Sequence, residues 1–210
     1  VEYRIQHKDG HYVWYYDRGT VTKRDSSGRP ILLEGVVFDI TESKLIEEKL
    51  VELAEKDALT GVYNRRMLYK ALDHNIALRK KDNVPFSLIM FDIDDFKNVN
   101  DEYGHLVGDD VLVQVVEIVK ADKRSHDNIF RYGGDEFFIL LPNTTLEGAK
   151  KVAKRLHSEI NSAHFPKVNN ISVSMGVASY DHVNDDQIIN EVDRLMYNAK
   201  KSGKARIASK

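Results

Sequence analysis

The sequence predicts a mixed α/β (α+β) protein, a central sheet flanked by helices, preceded by a small antiparallel meander and a linker helix. Three observations predict it. Residues 1–40 alternate apolar and polar positions with a period of two, residues 41–56 switch to helical spacing, and residues 57–210 alternate helix-like and strand-like runs. At ~100–200 residues per domain, this length holds one full domain and part of another.

Each element follows in order. Tyr3 and Ile5 alternate with polar neighbours, and Asp9-Gly10 is a hairpin signal. A second strand runs through Tyr12, Trp14 and Tyr16, then Asp25-Ser26-Ser27-Gly28-Arg29-Pro30 makes a loop. The third strand, Ile31–Phe38, ends in Asp39-Ile40-Thr41. Such a meander has little core of its own. Thr41 is placed to cap a helix whose Leu45, Ile46, Leu50 and Leu53 form an apolar stripe. Spanning about two heptads, the stripe fits either a helix lying on its own domain or a parallel dimer seam. Beyond residue 57 we expect a buried strand at Ser87–Ile93, a helix at Val111–Lys120, and a hairpin from Asn128–Tyr132 and Glu136–Leu141. A helix at Thr144–Asn161, a strand at Ile171–Tyr180 and a helix at Asp185–Lys201 complete the pattern.

Composition narrows the function. Hydrophobic residues make up 42% and charged residues 30%, the balance of a globular chain. A formal charge of -2 gives no general electrostatic case for DNA or RNA as partner. The absence of cysteine excludes disulfides and cysteine–zinc sites, and fits a cytoplasmic protein. Apolar runs such as Phe86–Phe91 are far shorter than the ~20 residues of a membrane helix, so no membrane contact is expected from this stretch. The opening, Val1-Glu2-Tyr3-Arg4-Ile5, is already in strand pattern without a leader. We therefore expect a longer protein, whose remainder has room for a membrane attachment.

Two segments carry chemistry. In Phe91-Asp92-Ile93-Asp94-Asp95-Phe96-Lys97, four apolar residues run straight into three carboxylates. Carboxylates at the C-terminal end of a strand can face a ligand crevice. Their oxygens suit magnesium, which takes one or two carboxylates plus substrate phosphates, and Lys97 adds a charge for a phosphate. The bland alternative is a solvated loop. The second segment is Arg131-Tyr132-Gly133-Gly134-Asp135-Glu136-Phe137. Gly-Gly between strand-like runs predicts a hairpin turn with positive φ, open to close approach by another molecule, with two carboxylates at its rim. Here the alternative is an ordinary hairpin guarded by acidic residues.

Gly133-Gly134-Asp135-Glu136-Phe137 resembles the signature of the GGDEF diguanylate cyclases, bacterial signalling enzymes. Supporting motifs stand around it in order: Asp57-Ala58-Leu59-Thr60-Gly61-Val62-Tyr63-Asn64-Arg65-Arg66, the Asp92 run, Asn100 to Asp109, Ser172-Val173-Ser174-Met175-Gly176-Val177-Ala178, and Tyr197-Asn198-Ala199-Lys200. Residues 1–40 resemble the C-terminal part of a PAS sensor domain, which makes 41–56 a signalling helix and 57–210 the cyclase domain. The resemblance implies condensation of two GTP into cyclic di-GMP by a homodimer, with magnesium (or manganese as substitute) as cofactor. Asp92, the Ile93 carbonyl, Asp135 and Glu136 would hold the metal, Asp135 and Glu136 being also the catalytic pair. Asn100 and Asp109 would read guanine, with Phe96 and His105 lining the site. Lys97, Lys200 and Lys204 would face the triphosphate. Arg124 and Asp127 match an Arg-x-x-Asp site where bound product inhibits. There are departures: the family's usual Gly-Arg-Asn-Arg is Gly203-Lys204-Ala205-Arg206 here, and Val62 replaces a usual Leu. A catalytically silent domain binding cyclic di-GMP or GTP is the alternative reading.

Overall fold

The computed structural model describes residues 1–180 and 187–210. The chain divides into two units, Val1–Ala54 and Glu55–Lys210.

The first unit is an antiparallel meander of β1 (Glu2–Gln6), β2 (Tyr12–Arg24) and β3 (Pro30–Asp39), followed by α1 (Thr41–Glu55). The expected Asp9-Gly10 turn is present, with Gly10 at φ 90°. The capping of α1 differs from expectation. Thr41 is the first residue of the helix, and its N–H donates to Asp39 Oδ1 at 2.9 Å. Thr41 is otherwise engaged, since its Oγ1 accepts from the Trp14 N–H at 2.8 Å and ties the helix start to β2. No α1 residue is buried, and Leu45, Ile46, Leu50 and Leu53 are exposed.

The second unit is a six-stranded sheet ordered β4-β6-β7-β5-β8-β9. Its strands are β4 (Tyr63–Asn64), β5 (Phe86–Ile93), β6 (Asn128–Gly133), β7 (Glu136–Pro142), β8 (Val173–Ser179) and β9 (Ile207–Ser209). The four inner strands are antiparallel, while β4 and β9 join in parallel at the edges. Helices α2 (Arg65–Asp82) and α6 (Gln187–Lys201) cover one face, while α4 (His105–Asp122) and α5 (Leu146–Ser162) cover the other. The short α3 (Phe96–Tyr103) follows β5 directly. Leu88 and Met90 pack on the α2/α6 side, Ile89, Phe91 and Ile93 on the α4/α5 side. With both faces covered, all of β5 is buried, which accounts for its unbroken apolar run.

Several bounds move and four elements are new. The helix expected at Val111–Lys120 starts at His105, just past Gly104, whose φ of 86° separates it from α3. The helix expected from Thr144 begins at Leu146, with Thr145 as cap, its side chain accepting from the Gly148 N–H. Asp185 and Asp186, expected in the last helix, lie outside the described residues. Sequence reading did not place β4, α2, α3 or β9. β4 and β9 have two and three residues, too short for a period to show, and form by parallel pairing with β6 and β8. α2 carries a legible cap, with Asn64 Oδ1 accepting from the Met67 N–H, but its last turn is a basic run without apolar spacing.

Gly176 sets how closely α6 lies on β8. A Cβ there would sit 2.1 Å from the Val192 carbonyl oxygen and 2.6 Å from the Met196 nitrogen, both backbone atoms. Backbone cannot swing aside, so Gly176→Ala should destabilise the fold by about 3 kcal/mol or more. A urea unfolding midpoint equal to the parent's would contradict this packing.

Candidate active site

Where β5 ends, its three carboxylates part company. Asp92 stands opposite Glu136 on β7 and Ser174 on β8. Residues directly opposite on antiparallel strands hold their Cβ atoms ~4.5–5.5 Å apart on one face, and like charges there are destabilising. Asp92 is only 4% exposed. Lys200 Nζ, on α6, lies 2.6 Å from Asp92 Oδ1. That is an ion pair by distance, yet no donor reaches this buried oxygen with hydrogen-bond geometry. Burial is the main force on the Asp92 carboxyl; Lys200 opposes it, Asp135 and Glu136 reinforce it, and the pKa is pushed up to about 6. Burial, then the charges of Asp135 and Asp193, also raise Glu136.

The turn bearing Asp135 is pinned from several directions. Phe137 is fully buried and stacks on Phe91 at 5.1 Å between centroids. Arg131 Nε donates to the Gly134 carbonyl at 2.9 Å, and its Nη1 donates to Asp57 Oδ1 at 2.9 Å. Asp57 also accepts from the Thr60 N–H and hydroxyl. Burial alone would raise Asp57, but the Thr60 and Arg131 contacts hold it below the usual carboxylate range. The Asp57–Thr60 motif is thereby bound to the hairpin. The Ile93 N–H donates to the Asp135 carbonyl at 3.4 Å, joining the end of β5 to the turn. Of the two glycines, Gly134 alone has positive φ, 48°, a correction to the expected pair. A bulge between Arg131 and Gly133 supplies the rest of the turn. A Cβ built on either glycine would meet no atom within 4 Å, so the backbone here is open to a ligand.

Asp94 and Asp95 serve other ends. Asp94 is buried and accepts from the hydroxyls of Ser172 and Ser174, each at 2.7 Å, and from the Ala205 N–H at 3.0 Å. Its oxygens are committed to fastening β8 and the C-terminal turn. Asp95 holds Lys204 Nζ at 2.6 Å, so in this structure Lys204 has a carboxylate partner. Lys97 and His105 are exposed, and Phe96, Asn100 and Asp109 are half-buried. Gly108, which sequence reading gave no role, brings α3 onto α4. A Cβ on it would lie 2.0 Å from Asn100 Oδ1 and 3.2 Å from Phe96 Cζ. Its place directly before Asp109 was the available signal.

Arg124 is exposed, but Asp127 is buried at 4% exposure. Asp127 Oδ2 accepts from the Arg124 N–H at 2.9 Å, and the Asp127 N–H returns a bond to the Arg124 carbonyl. Asp127 therefore shapes the loop that presents Arg124. A cavity of about 810 Å³, bordered by Arg79, Tyr180 and Arg194, is lined by none of these carboxylates.

A divalent cation fits the acidic cluster. A buried carboxylate with Lys200 as its close cation, facing a second carboxylate and close to a third, is a set of oxygen donors short of positive charge. Among the described residues, Asp92, Asp135 and Glu136 do not bring one oxygen each within 4.8 Å of one another. Two carboxylates with substrate oxygens, rather than a full protein cage, suit this spacing, as magnesium favours.

The fold and this site define a nucleotide cyclase class, and comparison with known proteins gives the family. The family model described as "Diguanylate cyclase, GGDEF domain" matches residues 54–206, and a PAS fold model matches residues 1–37. The chain belongs to the GGDEF diguanylate cyclase family. It is 33% identical to the diguanylate cyclase DgcM of Escherichia coli over 208 residues, covering 96% of this chain and 51% of that protein. It is 33% identical over 167 residues to the response regulator PleD of Caulobacter vibrioides, covering 76% of this chain and 37% of that protein. The chain thus spans about half the length of DgcM, and less of PleD. Among solved structures, the active GGEEF domain of a diguanylate cyclase from Vibrio cholerae aligns with a TM-score of 0.67 at 32% identity, covering 70% and 96% of the two chains. The coiled coil and GGDEF domain of DgcB from Caulobacter crescentus, in complex with c-di-GMP, shares the fold with a TM-score of 0.77 at 24% identity, covering 81% and 93%. Among the described residues no helix is long and apolar enough to cross a membrane.

Asp92 makes stability depend on pH. The folded carboxyl keeps its proton up to about 6 while the unfolded one releases it near 3.8, so the folded state binds more protons between those values. Stability falls as pH rises through that window, by on the order of 3 kcal/mol for this group. Asp92→Asn should therefore stabilise the metal-free protein at about pH 8, with the gain shrinking toward about pH 4. Urea titrations in a chelator at both pH values check this; a variant no more stable at the higher pH would contradict it.

Proposed function

We propose that this chain condenses two GTP molecules into cyclic di-GMP, releasing two pyrophosphates. Residues 57–210 form the cyclase domain, 41–56 the signalling helix, and 1–40 the C-terminal part of a PAS sensor. The observation that carries this reading is the buried Asp92 facing Glu136 beside the open Gly133-Gly134 turn. The DgcM and Vibrio cholerae relatives are named diguanylate cyclases, and retention of every signature carboxylate favours turnover over a silent binding domain.

Magnesium, with manganese as a substitute, would take its protein ligands from Asp92, the Ile93 carbonyl, Asp135 and Glu136, completed by substrate oxygens, and would neutralise triphosphate charge and acidify the attacking hydroxyl. The protein's own groups do the rest. Asn100 offers guanine a donor and an acceptor, and Asp109 accepts from its ring NH and amino group, a pattern adenine does not meet. Phe96 and His105 flank the base. Lys97, Lys200 and Lys204 receive the phosphates, which requires Lys200 to leave Asp92 and Lys204 to leave Asp95. The 3′-oxygen of one GTP bonds to the α-phosphorus of the other, the bond to pyrophosphate breaks, and the 3′ proton passes to Glu136, whose raised pKa suits it as acceptor. Asp135 lies beside it on the same turn. The second GTP reacts in the same way from the partner subunit, so two domains must meet. The unburied Leu45, Ile46, Leu50 and Leu53 stripe supports pairing through α1.

Incubation with GTP and magnesium should yield cyclic di-GMP, identified by mass. Asp92→Asn and Glu136→Gln should each lower the rate at least ~100-fold while the protein stays folded. Full turnover by either variant would overturn the site.

Arg124 and Asp127 form the product-binding inhibitory site. Arg124 is the cleaner probe, because Asp127 also holds the loop. Arg124→Ala removes a charge-assisted contact of ~1.5–3 kcal/mol, weakening inhibition by added cyclic di-GMP roughly ten- to a hundred-fold. The rate without product should match the parent's. Initial rates against added product, giving the same curve for both proteins, would show that Arg124 takes no part.

A further inference from the structure

We propose a second cation site, distinct from the carboxylate cluster, at the tip of the β1–β2 hairpin. His7, Asp9 and His11 there are arranged to take a divalent transition-metal ion of the zinc type. One ligand atom from each of the three lies within 4.8 Å of the others, the one such group of three among the described residues.

The backbone sets this spacing. The His7 N–H donates to the His11 carbonyl at 2.7 Å, and the Gly10 N–H donates to the His7 carbonyl at 2.9 Å. Gly10, at φ 90°, turns the chain, and Gln6 Nε2 bonds the Gly10 carbonyl at 3.2 Å. Positions 7, 9 and 11 thus converge on a closed loop, and binding has mainly side-chain rotamers left to order. The two imidazoles stack with centroids 4.6 Å apart and planes 29° from parallel.

The contact within the cluster also calls for a cation. The Asp9 N–H lies 3.4 Å from His7 Nδ1, a long contact that the single lone pair of that nitrogen gives up on binding a cation. Asp9 Oδ2 stands 3.1 Å from the same nitrogen. Two lone pairs facing at that distance repel unless a proton or a metal ion lies between them. The separation is close to the edge of a tetrahedron with bonds of ~2.0–2.1 Å to zinc, which is roughly 3.3 Å. Two imidazole nitrogens with one carboxylate oxygen suit zinc, copper or nickel, whereas magnesium prefers oxygen alone. Ligand chemistry therefore separates this site from the carboxylates of β5 and β7. Three protein ligands leave a fourth position to water.

The test uses the whole chain, with Zn²⁺ as the probe and magnesium in large excess to occupy the carboxylate cluster. Calorimetry should give one Zn²⁺ per chain. His7→Ala and His11→Ala should each weaken binding by at least ~100-fold, beyond the ~10–100-fold typical of a residue that merely orients a ligand. All three residues are exposed, and circular dichroism checks that the variants fold. Bound Cu²⁺ supplies an independent readout: its electron paramagnetic resonance should show coupling to two imidazole nitrogens in the parent and to one in His11→Ala. Absence of Zn²⁺ binding under excess magnesium, or binding unchanged in both alanine variants, overturns the proposal.

Discussion

Two acidic side chains, buried Asp92 and half-buried Glu136, face each other across neighbouring antiparallel strands. This pairing opposes folding, because burial and like charge both penalise ionisation. The rest of the cyclase unit keeps it in position. The order β7-β5-β8 sets Asp92 against Glu136 on one side and Ser174 on the other. The Phe91–Phe137 stack fixes the register of that pair, and the Asp57–Arg131 bridge holds the turn from outside the sheet. Lys200 reaches Asp92 only because Gly176 lets α6 lie directly on β8. The site has the character of stored electrostatic strain that a cation relieves.

The same region shows how one acidic run divides its labour. Asp92 stands against Glu136 and Lys200, Asp94 fastens β8 to the C-terminal turn, and Asp95 holds Lys204. The departure from the family's closing motif falls on this turn. Lys204 and Ala205 both have positive φ, at 56° and 46°. Asn tolerates that region, whereas Ala carries the ordinary left-handed penalty of ~1–2 kcal/mol. The bond from the Ala205 N–H to buried Asp94 offsets part of it.

The first unit follows different physics. Its strands carry large apolar side chains that stay exposed, including Ile31, Leu33, Val37 and Phe38, as do the apolar positions of α1. The hairpin tip between β1 and β2, by contrast, gathers imidazoles and a carboxylate on a fixed turn. Its chemistry is local, and closing it takes only backbone bonds within the turn.

Local pattern alone determined much of this protein. Periods of two and of 3.6 residues placed the meander, the linker helix and most of the elements that pack against the central sheet, because each buries a stripe its own spacing reveals. Asp92, Asp135 and Glu136 stood out as candidates through the resemblance to the GGDEF signature, since the residues alone left a solvated loop and an ordinary acidic hairpin open. Tertiary structure decided what local pattern cannot encode. β4 and β9 exist only through parallel pairing with distant strands. The basic last turn of α2 concealed a helix that its buried face holds in place. The differing fates of Asp92, Asp94 and Asp95 depend on partners 78 to 111 positions away for Asp94 and 109 for Asp95. Burial of Asp127, which the sequence offered only as half of an Arg-x-x-Asp pair, likewise makes it the brace of its loop. Such outcomes depend on desolvation and on contacts between segments far apart in the chain, and these come into being only when the sheet assembles.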